Sequence, residues 1–89
     1  MATRLIFDWD EGKRRENLRR HGIDFNDAKR IFDGPTLEDF DELHSAKEDR
    51  YRALGLFGGR VIKVVYTTRQ NAIRLISAFP SSARHEGLF

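Results

Sequence analysis

Residues 50–69 read Arg50-Tyr51-Arg52-Ala53-Leu54-Gly55-Leu56-Phe57-Gly58-Gly59-Arg60-Val61-Ile62-Lys63-Val64-Val65-Tyr66-Thr67-Thr68-Arg69. Two runs rich in apolar and aromatic side chains flank a Gly-Gly pair, and such a pair is a strong signal for a tight hairpin, whose two central residues need positive φ. The second run is the clearer strand. Ile62, Val64 and Tyr66 point one way and Val61, Lys63, Val65, Thr67 and Arg69 the other, because successive side chains alternate across a sheet. Downstream, Gln70-Asn71 turns the chain into a last strand over residues 72–78, which Pro80 breaks by offering no N–H. Upstream, residues 37–40 form a weak strand. Residues 37–78 therefore read as an antiparallel meander.

The N-terminal third reads differently. A short strand over residues 4–7 leads to Asp10, whose carboxylate can accept the free amide protons of a first helical turn. The helix over residues 10–20 is polar almost all round, with Leu18 its main apolar residue. Glu11 with Arg15 and Glu16 with Arg20 are spaced for i, i+4 pairs worth about 0.3–0.5 kcal/mol each. Gly22 is placed to stop the helix in the left-handed conformation. Asp24 caps a second helix, with Ile23 positioned to staple onto Ala28. Phe25, Ala28, Ile31 and Phe32 share one face of that helix, and Asp33-Gly34-Pro35 ends it. This stripe needs a sheet to bury against. The expected fold class is therefore α+β: an N-terminal strand, two helices packed on one face of an antiparallel sheet, and a short C-terminal helix or tail over residues 81–89. The opposite face is expected to be open, free to display Lys63, Arg69 or Arg74. Gly34, Gly55, Gly58 and Gly59 read as turn residues rather than a phosphate loop.

At 89 residues the chain is expected to form one domain spanning 1–89, burying roughly 60–65% of its unfolded surface. The absence of cysteine excludes a disulfide framework and thiolate metal sites. Leu5-Ile6-Phe7 is too short for a signal-peptide core, and no run approaches the ~20 apolar residues of a membrane span. A soluble cytoplasmic protein without membrane association is expected. The net charge of +2 conceals a swing along the chain. Residues 33–50 hold seven acidic side chains against two basic, and residues 51–89 hold six basic against one acidic. Such a split can steer one anionic ligand and one cationic partner.

Two constellations carry chemistry. Lys13, Asn17 and Arg20 fall on one face of the first helix with His21 just beyond, an alignment suited to an anion and equally open to a solvated-helix reading. The segment Asp41-x-x-His44-Ser45-x-x-Glu48-x-Arg50 combines carboxylate, imidazole and guanidinium at one loop-to-strand junction. RNA cleavage by internal transfer needs a base for the 2′-OH, an acid for the leaving oxygen and cations for the phosphorane. His44 or Glu48 can be that base, with Arg50, Arg69 or Arg74 as the clamp. The plainer alternative makes His44 a turn cap and pairs Glu48 with Arg50 or Arg52 on the surface. Trp9 reads as a core aromatic and Tyr66 as packed in the sheet. The acidic cluster Glu38, Asp39, Asp41 and Glu42 lacks calcium-loop spacing and reads as solvated.

The ordered set Phe7-Asp8-Trp9-Asp10, Lys13, Asn17, Arg20-His21-Gly22, Phe25, Ala28, Phe32-Asp33, Pro35, His44-Ser45, Glu48, Arg50, Gly55, Val64-Val65-Tyr66-Thr67, Arg69, Arg74 and Ile76-Ser77-Ala78 closely resembles the BrnT family, ribonuclease toxins of type II toxin–antitoxin pairs. The match covers residues 6–78. The resemblance implies a RelE-like fold and metal-independent mRNA cleavage that halts translation and growth, with no cofactor. It also implies a ribbon-helix-helix antitoxin (BrnA-like) as partner, with DNA reached only through that antitoxin. Carried onto this chain, the polar positions that match are Lys13, Asn17, His21, His44, Glu48, Arg50, Arg69 and Arg74, without fixing the base. Together with the helix-face and open-face readings, His44, Glu48, Arg50 and Arg69 are expected to serve catalysis and Lys13, Asn17, Arg20, His21, Lys63 and Arg74 RNA binding. The departure lies at the end of the last strand. The family pattern continues Ser-Ala-Arg, whereas Ala78 is followed here by Phe79-Pro80, and Arg84 and Glu86 fall out of register. An alternative reading is thus a weakened or non-catalytic toxin-like module that acts as antitoxin partner and operon co-repressor.

Overall fold

The long strand anticipated from the alternating pattern becomes the centre of a five-stranded sheet in the computed structural model, which describes residues 5–81. The strands are β1 (Ile6–Trp9), β2 (Leu37–Phe40), β3 (Tyr51–Phe57), β4 (Arg60–Arg69) and β5 (Ala72–Pro80), in the spatial order β1-β5-β4-β3-β2. β2 to β5 form the antiparallel meander. β1 joins it in parallel, pairing Ile6 with Ala72 through Trp9 with Leu75, which makes the whole sheet mixed. Both hairpins use left-handed residues at their two central positions: Gly58 and Gly59 (φ 59° and 79°), then Gln70 and Asn71 (φ 50° and 68°). β1 starts two residues later than the sequence suggests, and β5 runs through Pro80 instead of breaking before it. Pro80 faces Ile62 of β4 beyond the reach of β1, so its missing N–H costs the outer edge no pairing.

Helix α1 (Glu11–His21) is capped by Asp10, whose carboxylate accepts the Lys13 N–H at 2.9 Å. It ends at Gly22 (φ 71°), whose N–H donates to the Leu18 carbonyl. Its ion pairs are i, i+3, Glu11–Arg14 and Glu16–Arg19, rather than the i, i+4 pairs expected, and Arg14 also bridges to Asp24 at 3.0 Å. Helix α2 (Phe25–Ala28) is short and tightens into a 3-10 turn over Lys29–Asp33. Phe25, Ala28 and Ile31 are fully buried against Ala53, Ile62, Val64, Tyr66, Leu75 and Ala78. Each large apolar side chain in this set contributes about 1.5–3 kcal/mol of burial. Trp9 packs edge-on against Phe25 with centroids 6.2 Å apart, the core role expected of it.

Gly55 is not a turn residue but lies inside β3. A Cβ there would sit 2.6 Å from the Ile31 Cβ, so its lack of a side chain is what lets the 3-10 turn settle on the sheet. The predicted open face is partly roofed. Thr67 on that face is only 3% exposed, and its hydroxyl donates to the Asp49 carbonyl at 2.6 Å, pinning the segment between β2 and β3 across β4. The C-terminal helix or tail, with Arg84 and Glu86, lies outside the described residues apart from Ser81, whose N–H donates to the Val61 carbonyl.

Candidate active site

The segment joining β2 to β3 is closed on itself by three hydrogen bonds. The Asp41 N–H donates to the Arg50 carbonyl (2.8 Å), the Ser45 hydroxyl to the Asp41 carbonyl (2.5 Å), and the Arg50 N–H to the Ser45 Oγ (2.9 Å). This clasp brings both ends of the Asp41–Arg50 motif together. Asp41 was expected to be solvated; it is 5% exposed, with its carboxylate against His44 Nδ1 at 2.9 and 3.1 Å. Burial pushes the Asp41 carboxyl up, but the hydrogen bond and charge of His44, and then the charge of Arg52, outweigh it, and the net shift is downward. A carboxylate on Nδ1 holds the proton there and turns Nε2 into the free acceptor.

Asp41, His44, Arg50, Arg52, Lys63, Val65, Ile76, Ser77 and Phe79 line one hollow of about 320 Å³. The Arg50 Nε is buried with no hydrogen-bond partner among the described residues. Arg52 is held by Asp39 through two bonds of 2.7 and 3.0 Å. A second hollow, of about 210 Å³, adjoins the first through the shared Ile76 and Ser77 and is lined by Lys13, Glu16, Asn17, Arg20 and His21. The two make a trough whose floor is β4 and β5, with the 41–50 clasp on one side and α1 on the other.

A β-bulge sets that floor. Val65 faces Ser77 while Tyr66 faces Leu75, so Ile76 is the extra residue. Strict alternation from Ile73 and Leu75 would send Ser77 and Phe79 into the core. The bulge instead puts Ala78 in the core and turns Ser77 and Phe79 to the trough. Phe79 stands opposite Lys63, whose Nζ lies 5.8 Å from the ring centroid, and the His21 ring is 5.6 Å from it.

Sequence-assigned residues divide accordingly. His44, Arg50, Lys63, Lys13, Arg20 and His21 converge on the trough. Asn17 borders it but is 5% exposed, and its amide is spent on structure. It donates to the carbonyls of Ile23 (2.9 Å) and Ala78 (2.8 Å) and accepts the Ala78 N–H (3.0 Å), replacing the strand partner that β5 lacks past β1. Glu48 pairs with Arg69 at 3.3 Å, and Arg74 with Asp8 on the neighbouring strand; neither pair lines the trough. Arg52 and Phe79 were missed as site residues, and Asp41, named in the motif, was given no role there. Asp41 was legible in the i, i+3 spacing to His44, and Arg52 in its alternation with Arg50, but the bulge that turns Phe79 left no mark in the alternation. Among the described residues no three His, Asp or Glu side chains gather as metal ligands, and no helix is long and apolar enough to cross a membrane.

A family model described as "Ribonuclease toxin, BrnT, of type II toxin-antitoxin system" matches residues 9–85. The crystal structure of the Brucella abortus ribonuclease toxin BrnT is similar, with a TM-score of 0.66 and 29% identity over 89% of this chain and 99% of that one. No curated protein matches the chain. The fold and the family match along most of the length agree, and the chain belongs to the BrnT family of ribonuclease toxins of type II toxin–antitoxin systems.

Proposed function

We propose that the trough cleaves single-stranded mRNA by internal transfer without a metal ion, and that a ribbon-helix-helix antitoxin neutralises it and carries it to DNA. The observation that carries this reading is the Asp41–His44 pair set beside Arg50 in a hollow that also holds Arg52 and Lys63. His44 Nε2 takes the proton of the 2′-OH as that oxygen attacks the adjacent phosphorus. The 5′-oxygen leaves and takes up a proton from Lys63 or water, giving a 2′,3′-cyclic phosphate and a 5′-hydroxyl. Arg50, Arg52 and Lys63 offset the charge that builds on the phosphorane, an effect that reaches 10²–10³-fold per donor in preorganised sites. Asp41 keeps the imidazole in the useful tautomer, the role of an orienting carboxylate. Glu48 and Arg69 neutralise each other at 3.3 Å and are assigned to holding the clasp on β4. The row of Lys13, Arg20 and His21 guides the flanking strand. Purified protein incubated with RNA and EDTA is expected to produce cyclic-phosphate ends.

One feature of the sequence favours the second reading, a weakened toxin acting mainly as an antitoxin-binding co-repressor: Phe79 stands where the resemblance leads to the expectation of an arginine. Growth on induction separates the two. Arrest supports the nuclease, and normal growth with intact operon repression supports the co-repressor. The acidic stretch offers that second reading little, since Glu38, Asp39, Asp41 and Glu48 are engaged by Tyr66, Arg52, His44 and Arg69.

A further inference from the structure

Phe79 stands on the face of β5 that the Ile76 bulge turns toward the trough, and among the described residues it is the one aromatic side chain lining the hollow that holds His44 and Arg50. The bulge keeps this ring out of the core and sets it beside the charged and polar groups of the hollow. Its neighbours suit another use. Lys63 Nζ lies over the ring at 5.8 Å, and the His21 ring is inclined to it by 42° at a centroid distance of 5.6 Å. A flat π-face flanked by a planar imidazole and a mobile cation is the arrangement on which an unstacked nucleobase rests while its phosphate meets positive charge. Lys63, on its flexible stem, is the group a base displaces, and its ammonium then reaches the neighbouring phosphate.

We propose that Phe79 is a nucleobase platform: it stacks the base next to the scissile phosphate of single-stranded RNA, with His21 closing the side of the stack. The proposal rests on the reading of the trough as the RNA site and adds a base-recognition subsite to it.

The test measures binding of an uncleavable 2′-O-methyl oligouridine and of an abasic oligomer with the same phosphates, by fluorescence anisotropy. The wild-type protein is expected to prefer the base-bearing oligomer by about ten-fold or more. Phe79→Leu, which keeps an apolar side chain but no π-face, is expected to erase that preference while retaining the abasic affinity and the melting temperature. Phe79→Trp is expected to keep the preference, with indole fluorescence quenched by the base-bearing oligomer alone. Equal binding of both oligomers by the wild type, or an unchanged preference in Phe79→Leu, overturns the platform. If cleavable RNA is cut normally while Phe79→Leu keeps the preference, the platform falls and the nuclease reading stands. If RNA stays intact while the preference still depends on Phe79, the nuclease reading falls and the platform stands. No binding of either oligomer by the wild type overturns both.

Discussion

Asn17 and Asp41 are buried polar side chains whose partners decide their roles. Asn17 spends its amide on three backbone groups, two of them on Ala78. Removing it leaves those groups unpaired, at a net cost of about 1 kcal/mol per bond. Asn17→Ala is therefore expected to destabilise the protein by roughly 2–3 kcal/mol in urea unfolding and to speed hydrogen exchange at the Ala78 amide. A melting curve matching the wild type, with weakened RNA binding, would return Asn17 to the ligand side. Asp41 makes the complementary prediction in pH. Its carboxyl is held below the ordinary value of 3.8, with burial opposed and outweighed by His44 and Arg52. A depressed carboxyl contributes stability above its unfolded pKa and loses it as pH falls through the lower folded value. The stability gap between wild type and Asp41→Asn is therefore expected to be full at neutral pH and to shrink below about pH 4. A gap that stays constant from neutral pH into acid would contradict the His44–Asp41 pairing.

At the scale of elements, the close approach of the 3-10 turn to β3 makes Gly55 a packing position. Gly55→Ala forces the Ile31 side chain or the strand to move, and a loss of about 1–3 kcal/mol is expected in chemical denaturation. Unchanged stability would mean the turn does not sit on β3 as described. The meander was legible because β4 alternates cleanly and both hairpins carry residues that accept positive φ. The caps at Asp10 and Gly22 were legible for the same local reason. What the sequence concealed depends on distant partners. Leu18 is the main apolar residue of α1, yet it is 43% exposed, and the neighbouring Asn17 does the anchoring, because the backbone it meets belongs to β5, far along the chain. The bulge at Ile76 is equally silent, and without it Phe79 would face the core. The His44–Arg50 half of the site was readable as a local motif, whereas Glu48, Arg69 and Arg74 share its residue types and are drawn into ion pairs elsewhere.

Across the whole molecule, the charge swing folds into a division of labour. Acidic residues of β2 and of the segment after it are used to fix guanidinium and imidazole groups, and cations on α1, β3 and β4 border the trough. Binding of a single strand there releases counterions, so affinity is expected to fall with salt, with a log–log slope of about −0.7 per phosphate neutralised. Lys63→Ala is expected to make that slope shallower by about 0.7, and a slope it leaves unchanged would remove Lys63 from the phosphate path. The central claim, that His44 oriented by Asp41 works as the base of a metal-free RNA cleavage, is tested most directly by end-group analysis of RNA digested in EDTA by wild type and His44→Ala. The wild type should leave 2′,3′-cyclic phosphates, and His44→Ala should melt at the same temperature and cut about 10²–10⁴-fold more slowly. Intact RNA at high wild-type concentration, or a folded His44→Ala protein that cuts at the wild-type rate, would contradict it.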